Sequence, residues 1–491
     1  MKNISLICGF ICCIGSVAVA GQSPELSKAD VSGLLLPDVK IKSVKHFEAS
    51  KSNGGTSVGH LDVEGVIAGS MNFELLLPDD WNGRFAMGGG GGLVGSIQNS
   101  ARTSINKGYA TVGTDTGHQA GGTDGSWALD NTEALVNFGH VAIHRTSEVA
   151  KAIIRAYYGK GPEKSYFMGC SRGGGQALME AQRYPDDFDG IVSGAPAFDW
   201  PGIAAMGTHV AKTFYPDPSN LKSTVVTLKD LNTLYDGILD QVDAQDGVED
   251  GIINNPPAVK FQLGAVEGLS KKQRKAIQAL YDDVHNEHGL VYRGFPLGAE
   301  QGNQGWYLWL TGPVPGMVNL SYAFSTNIMK YFVFNDADWD YSTYDLNDWN
   351  EDTHLAGTIL SAVDPNLESF AAKGGKLIIW HGWSDPALTA YATTDYYDKI
   401  LEHDSDAMDY ARLFMIPGCY HCGGGPGVSD VDWLDQISTW VETGKAPAEI
   451  IASKSKSKDG PAMTRPLYPY PLIAEYDGKG DPNVAASFDS K

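Results

Sequence analysis

Across residues 39–128 short apolar runs alternate with Gly, Asn and Asp turns, a rhythm that predicts strands. "RFAMGGGGGLVGS" (84–96) reads as a strand that runs into five consecutive glycines, and "GYATVGTDTGHQ" (108–119) as a strand followed by a polar turn. The period then changes. In "NFGHVAIHRTSEVAKAIIRAYYG" (137–159) Val149, Ile153, Ala156 and Tyr157 recur at helical spacing, and Gly159 closes the helix. "YFMGCSRGGGQALMEAQRYP" (166–185) is an apolar strand, a glycine-lined break and a run of helix formers, and "FDGIVSGAPA" (188–197) is a further strand with a small-residue exit. Strands alternating with helices predict an α/β fold built on a mostly parallel sheet covered on both faces. From about residue 199 to residue 360 that rhythm stops, and aromatics crowd in, among them Trp306, Trp309, Phe324, Phe332 and Trp349. It resumes in "GGKLIIWHGWSDPALTA" (374–390) and "ARLFMIPGCYHCGGG" (411–425), each a buried strand ending in a polar loop. The simplest organisation is a core in two parts, residues 21–198 and 361–491, interrupted by a lid domain over residues 199–360.

Length supports this division, since 491 residues exceed what one ordinary core holds. Apolar residues at 42% and charged residues at 20% describe a globular chain, and a formal charge of −22 argues against a nucleic-acid partner. No interior run reaches the roughly 20 apolar residues of a membrane span. The first 20 residues differ: Lys2 precedes "ISLICGFICCIGSVAVA", and Ala18-Val19-Ala20 forms a small-x-small site before Gly21. This predicts a signal peptide over residues 1–20 and export to a secreted or periplasmic location. Cys8, Cys12 and Cys13 would leave with it, so the mature chain keeps Cys170, Cys419 and Cys422 where a disulfide persists.

The candidate chemistry centres on Gly169-Cys170-Ser171-Arg172-Gly173, a G-x-S-x-G turn that exposes a serine between strand and helix. A glycine-rich turn of this kind also binds phosphate, so the serine needs partners. In α/β-hydrolases they follow in the order Ser, Asp, His, each on a loop at the carboxyl end of the sheet. Asp385 ends the strand in "LIIWHGWSD" and His421 ends the strand in "LFMIPGCYH", 36 residues later. Ser171 is thus the candidate nucleophile, His421 the base and Asp385 the group that orients it. His381 is expected to shape the Asp loop, and His118 to line the site or cap a turn. Zinc at Cys419, His421 and Cys422 lacks a fourth ligand at a sensible spacing. The oxyanion hole is expected from the backbone N–H of Arg172 and from the glycine run, at Gly90 and Gly91. A Cys170–Cys422 bond would tie the residue before the serine to the residue after the histidine, while Cys419 is either a free thiol or a competing partner.

Together these residues resemble the tannase and feruloyl esterase family of secreted α/β-hydrolases. The resemblance rests on Cys170-Ser171, Asp385 and His421-Cys422, on "GCSRGGGQALMEAQRYPDDFDGIVSGAPA", and on "DTGH", "WHGWSD" and "HCGGG". It implies an α/β-hydrolase core with a large inserted lid, carboxylic ester hydrolysis through an acyl-enzyme on Ser171, and a Cys170–Cys422 disulfide. It also implies a structural Ca²⁺ in "DQVDAQDGVEDGII", held by the carboxylates of Asp243, Asp246 and Asp250 and the carbonyls of Val248 and Ile252, with no organic cofactor. The family's substrates are esters of aromatic acids. Neither lid arginine, Arg274 or Arg293, is clearly placed for a terephthalate carboxylate, so a hydroxycinnamoyl ester is the first expectation. A galloyl ester, as for tannase, comes second, and mono(2-hydroxyethyl) terephthalate third. Outside the esterases stand a serine peptidase and a non-catalytic binding protein.

Overall fold

The computed structural model describes residues 28–52, 55–456 and 461–491. The expected signal peptide lies outside these residues. Nine strands form one sheet: β1 (Val39–Phe47), β2 (His60–Ile67), β3 (Met71–Pro78), β4 (Arg84–Gly88), β5 (Ala110–Thr114), β6 (Lys164–Cys170), β7 (Gly190–Gly194), β8 (Lys376–Gly382) and β9 (Ala411–Ile416). Their order across the sheet is β1-β2-β3-β5-β4-β6-β7-β8-β9. The β1–β2, β2–β3 and β3–β5 pairs are antiparallel and the rest are parallel.

The parallel strands read as nearly continuous apolar runs because both faces are covered. One registered row crosses seven strands through Leu75, Val112, Met87, Phe167, Ile191, Leu377 and Ala411, all buried. Helices α1 (Ala142–Tyr158) and α2 (Arg172–Arg183) pack on this face through Ile153, Ile154 and Leu178. Neighbouring side chains point the other way. Tyr166, Ile378 and Phe414 meet Trp433, Ile437 and Trp440 on the opposite face. At the edge of the sheet β1 is only partly covered, and Lys40, Lys42 and Lys45 mark it as solvent-facing.

Between Gly194 and Lys376 the chain leaves the sheet and builds the insert. Its helices include α3 (Trp200–Phe214), α4 (Leu228–Val242), α5 (Lys271–Tyr281) and α6 (Leu320–Asn327). Two of them start with capping boxes, Thr227 with Asp230 and Ser270 with Gln273. Phe214, Leu231, Leu234, Ile277, Leu280 and Trp306 make a core that belongs to the insert alone. A second cluster, with Leu93 and Phe138 from the sheet domain and Trp200, Ile328 and Met329 from the insert, joins the two. The insert therefore lies over the carboxyl ends of the strands, where the loops after β4, β6, β8 and β9 converge.

Candidate active site

Ser171 sits between β6 and α2 with φ 62° and ψ −122°, a conformation that turns its side chain out of the strand–helix corner. The corner is pinned by its own backbone: Ser171 N–H donates to Gly194 O at 3.0 Å, and Ala197 N–H donates to Ser171 O at 2.9 Å. The tight approach explains the flanking glycines. A Cβ on Gly169 would stand 2.5 Å from the Gly173 carbonyl, which no side-chain adjustment can relieve. The strained serine stores on the order of 1–3 kcal/mol that the surrounding contacts offset.

Asp385 is fully buried in the loop after β8 and accepts four hydrogen bonds. Its Oδ1 takes the N–H groups of Ala387 at 2.7 Å and Leu388 at 3.1 Å. Its Oδ2 faces His421 Nδ1 at 2.7 Å and His381 Nε2 at 3.1 Å. Burial pushes the carboxyl upward, but the adjacent His421 and the bonds from His381 and His421 outweigh it and hold the group well below the usual carboxylate range. An ionised carboxylate can only accept, so His421 carries its proton on Nδ1 and leaves Nε2 as the acceptor. By the same reasoning His381 donates through Nε2 and accepts at Nδ1 from Thr393 Oγ1, 2.7 Å away. His381 does more than shape its loop. It fixes the carboxylate that fixes His421.

Cys170 and Cys422 are joined in a disulfide that spans 252 residues. The bond tethers the nucleophile elbow to the histidine loop. Among the described residues Cys419 is the free thiol, fully buried, its Sγ 3.3 Å from Tyr420 O. Burial pushes its thiol up to about 12, so it is inert as a nucleophile and slow to exchange. We expect reduction of the Cys170–Cys422 disulfide, or the double variant C170S/C422S, to lower the melting point and turnover together. Loss of such a tether weakens the fold by roughly 2–5 kcal/mol. Full activity in reduced, folded enzyme would show that the tether does not set the geometry.

The glycine run supplies one correction. Gly90 N–H donates to Gln176 Oε1 at 3.1 Å and Gly91 N–H to Gln98 Oε1 at 2.8 Å, so both expected oxyanion donors are already engaged. The cause is tertiary. Gly89 packs so close to α2 that a Cβ there would lie 2.7 Å from Gly173 Cα, and this brings the run against the buried Gln176. The next residue, Gly92, lines the cavity, and among the described residues its N–H has no acceptor. Arg172 opens α2 and lines the same cavity, and a helix's first N–H groups lack internal partners. His118 lies outside the cavity lining and supports the run from behind: its Nε2 is 2.9 Å from Leu93 O, and its ring stacks on Trp127 at 3.7 Å.

Ser171, His421, Arg172, Gly92 and the disulfide all border one cavity of about 330 Å³. The insert provides most of its apolar wall, including Trp200, Ile203, Met206, Phe295 and Phe324. Trp309 packs edge-on to His421, with ring centroids 5.0 Å apart, and stacks on Phe324 at 6.4 Å. Sequence reading places Trp309 among many aromatics without separating it from those that only build the insert's core, as Trp306 does. The Arg172 side chain is buried, with Nη2 on the carbonyls of Phe138 and Gly139 and its guanidinium 4.4 Å from the centre of the Phe138 ring. Burial lowers it to about 9. Arg293 pairs with Asp283 and Asp395, and Arg274 donates to Val266 O.

The loop after α4 carries Asp243, Asp246 and Asp250, the carboxylates expected to bind calcium. Asp243, Asp246 and Asp250 each accept a backbone N–H, from Gly251, Val248 and Ile252 respectively. Burial and the neighbouring carboxylates push Asp246 up to about 6, and Asp243 and Asp250 are also raised. A small cavity is lined by Asp246, Val248, Asp250 and Ile252 together with Arg465, whose Nη2 donates to Asp250 Oδ2 at 2.7 Å. Half-buried carboxylates are the ligand type of a hard dication, and here the Arg465 guanidinium already offsets part of the Asp250 charge. Among the described residues no three acidic, histidine or cysteine side chains converge as a metal cluster, so an ion here needs the carbonyl oxygens as well.

A family model described as "Tannase and feruloyl esterase" matches residues 55–491. The mono(2-hydroxyethyl) terephthalate hydrolase of Piscinibacter sakaiensis is 30% identical over 507 residues, covering 87% of this chain and 84% of that protein. Feruloyl esterase B of Aspergillus niger is 28% identical over 506 residues, covering 96% and 92%. The crystal structure of feruloyl esterase B from Aspergillus oryzae superposes with a TM-score of 0.83 at 25% identity, covering 95% of this chain and all of that one.

Proposed function

The chain belongs to the tannase and feruloyl esterase family and is a carboxylic ester hydrolase of that type, and from this premise we propose that it cleaves esters of hydroxylated aromatic acids through an acyl-enzyme on Ser171. The observation that carries the proposal is the His421 Nδ1–Asp385 Oδ2 contact of 2.7 Å at the rim of the cavity that also holds Ser171. Ser171 Oγ attacks the ester carbonyl and His421 Nε2 takes its proton. The oxyanion that forms is met by the N–H groups of Arg172 and Gly92. When the tetrahedral adduct collapses, the imidazolium returns the proton to the leaving alcohol and the acyl group stays on Ser171. Water, deprotonated by His421, then releases the acid and frees the serine.

Apolar walls with aromatic rings suit a planar acyl group. The cavity's one arginine is spent on backbone carbonyls, which disfavours an acyl group with a second carboxylate. Hydroxycinnamoyl esters therefore rank ahead of galloyl esters and of mono(2-hydroxyethyl) terephthalate. Comparing kcat/KM for methyl ferulate, methyl gallate and mono(2-hydroxyethyl) terephthalate tests the ranking. A clear preference for the terephthalate monoester would overturn it.

Two further parts belong to the proposal. Asp243, Asp246 and Asp250, with the carbonyls of Val248 and Ile252, would hold a structural Ca²⁺ that neutralises the crowded loop without touching the ester. EGTA is then expected to lower the melting temperature by at least about 3 °C while turnover of a small ester changes little. An unchanged melting point, with no metal by elemental analysis, would remove the ion. Export rests on residues 1–20. No described helix is long and apolar enough to cross a membrane.

A further inference from the structure

We propose that Ser321 and Ser325 form a subsite for the ring hydroxyl of the acyl group, a reading that rests on the esterase function above. Four residues apart on α6, the two serines share one helix face. Both line the cavity that holds Ser171. They converge over the same point of α3: a Cβ added to Gly207 would stand 2.6 Å from Ser325 Oγ and 3.1 Å from Ser321 Oγ. With no Cβ of its own, Gly207 lets both hydroxyls come this close to α3.

Ser325 is 2% exposed, and among the described residues its Oγ has no hydrogen-bond partner. A buried hydroxyl without a partner is unfavourable, so a ligand group that completes it gains selectivity over one that does not. The surrounding wall is apolar, with Trp200, Met206, Phe324 and Ile328 nearby in the lining. Two hydroxyls can donate and accept at once, which matches a neutral phenol. A carboxylate at this place would need a cation. Arg172 cannot supply it, because its Nη2 is held by Phe138 O and Gly139 O.

The test is a ratio: kcat/KM for methyl p-coumarate over kcat/KM for methyl cinnamate, which lacks the ring hydroxyl. The wild-type enzyme is expected to favour the hydroxylated ester. Ser325→Ala should lower that ratio by roughly three- to tenfold, and S321A/S325A should lower it further. A general packing defect would depress both esters together and leave the ratio alone, so a constant ratio overturns the inference. Should Ser325→Ala fail to fold, the same ratio in Ser321→Ala decides. If the wild-type enzyme cleaves neither ester, the underlying substrate class is wrong. If it cleaves both without preference, only the serine subsite is wrong.

Discussion

Ser171→Ala is expected to lower ester turnover by at least about 10⁴-fold while the folded state survives. The side chain has no structural duty: no hydrogen bond from Ser171 Oγ holds the elbow, which is pinned by Ser171 N–H on Gly194 O and Ala197 N–H on Ser171 O. Alanine keeps both bonds and bears the same positive φ. The Cys170–Cys422 bond next to it is unaffected. What disappears is the atom proposed to form the acyl intermediate. Turnover of methyl ferulate beside a thermal melt separates the two effects, and a folded variant with substantial residual activity would contradict the nucleophile assignment.

Asp385→Asn is expected to reduce kcat by about 10³–10⁴-fold with a smaller change in KM. The reason lies in the four bonds around the carboxylate. Both oxygens accept, one from the backbone of Ala387 and Leu388, the other from His421 and His381. An amide has one accepting and one donating end. If the NH₂ faces the loop it opposes two backbone N–H groups; if it faces the imidazoles it favours the wrong tautomer of His421. The two backbone donors favour the second orientation, which keeps the loop's shape and loses the base. A fall in both kcat and melting point for Asp385→Asn would be the mark of loop damage instead, and near-normal kcat would refute the role.

The chemistry legible in the sequence is local. Ser171, Asp385 and His421 each follow a strand written as an apolar run, and the disulfide partners adjoin two of them. The strands from β4 to β9 and the helices α1 and α2 were likewise readable because each carries its own period and punctuation, while β1 to β3 showed only as unresolved strand rhythm. What could not be read is set by distant partners. The direction of the Gly90 and Gly91 N–H groups depends on Gln176 and Gln98. The placement of Trp309 against His421 depends on how the insert folds over the sheet. Two C-terminal hairpins, Ile450–Lys454 with Met463–Leu467 and Ala474–Tyr476 with Phe488–Ser490, reach the acidic loop through Arg465 on Asp250 and Asn254 on Ala474 O. Nothing in the local pattern of those hairpins announces a contact more than 200 residues upstream.

The central claim is that one serine carries the acyl group. Stoichiometric labelling with a fluorophosphonate, followed by peptide mapping, tests it most directly. The account predicts one phosphonyl group per chain, located on Ser171, with ester turnover falling in step with labelling and Ser171→Ala left unlabelled. Label on another residue with loss of activity, or a fully labelled Ser171 with turnover intact, would contradict it.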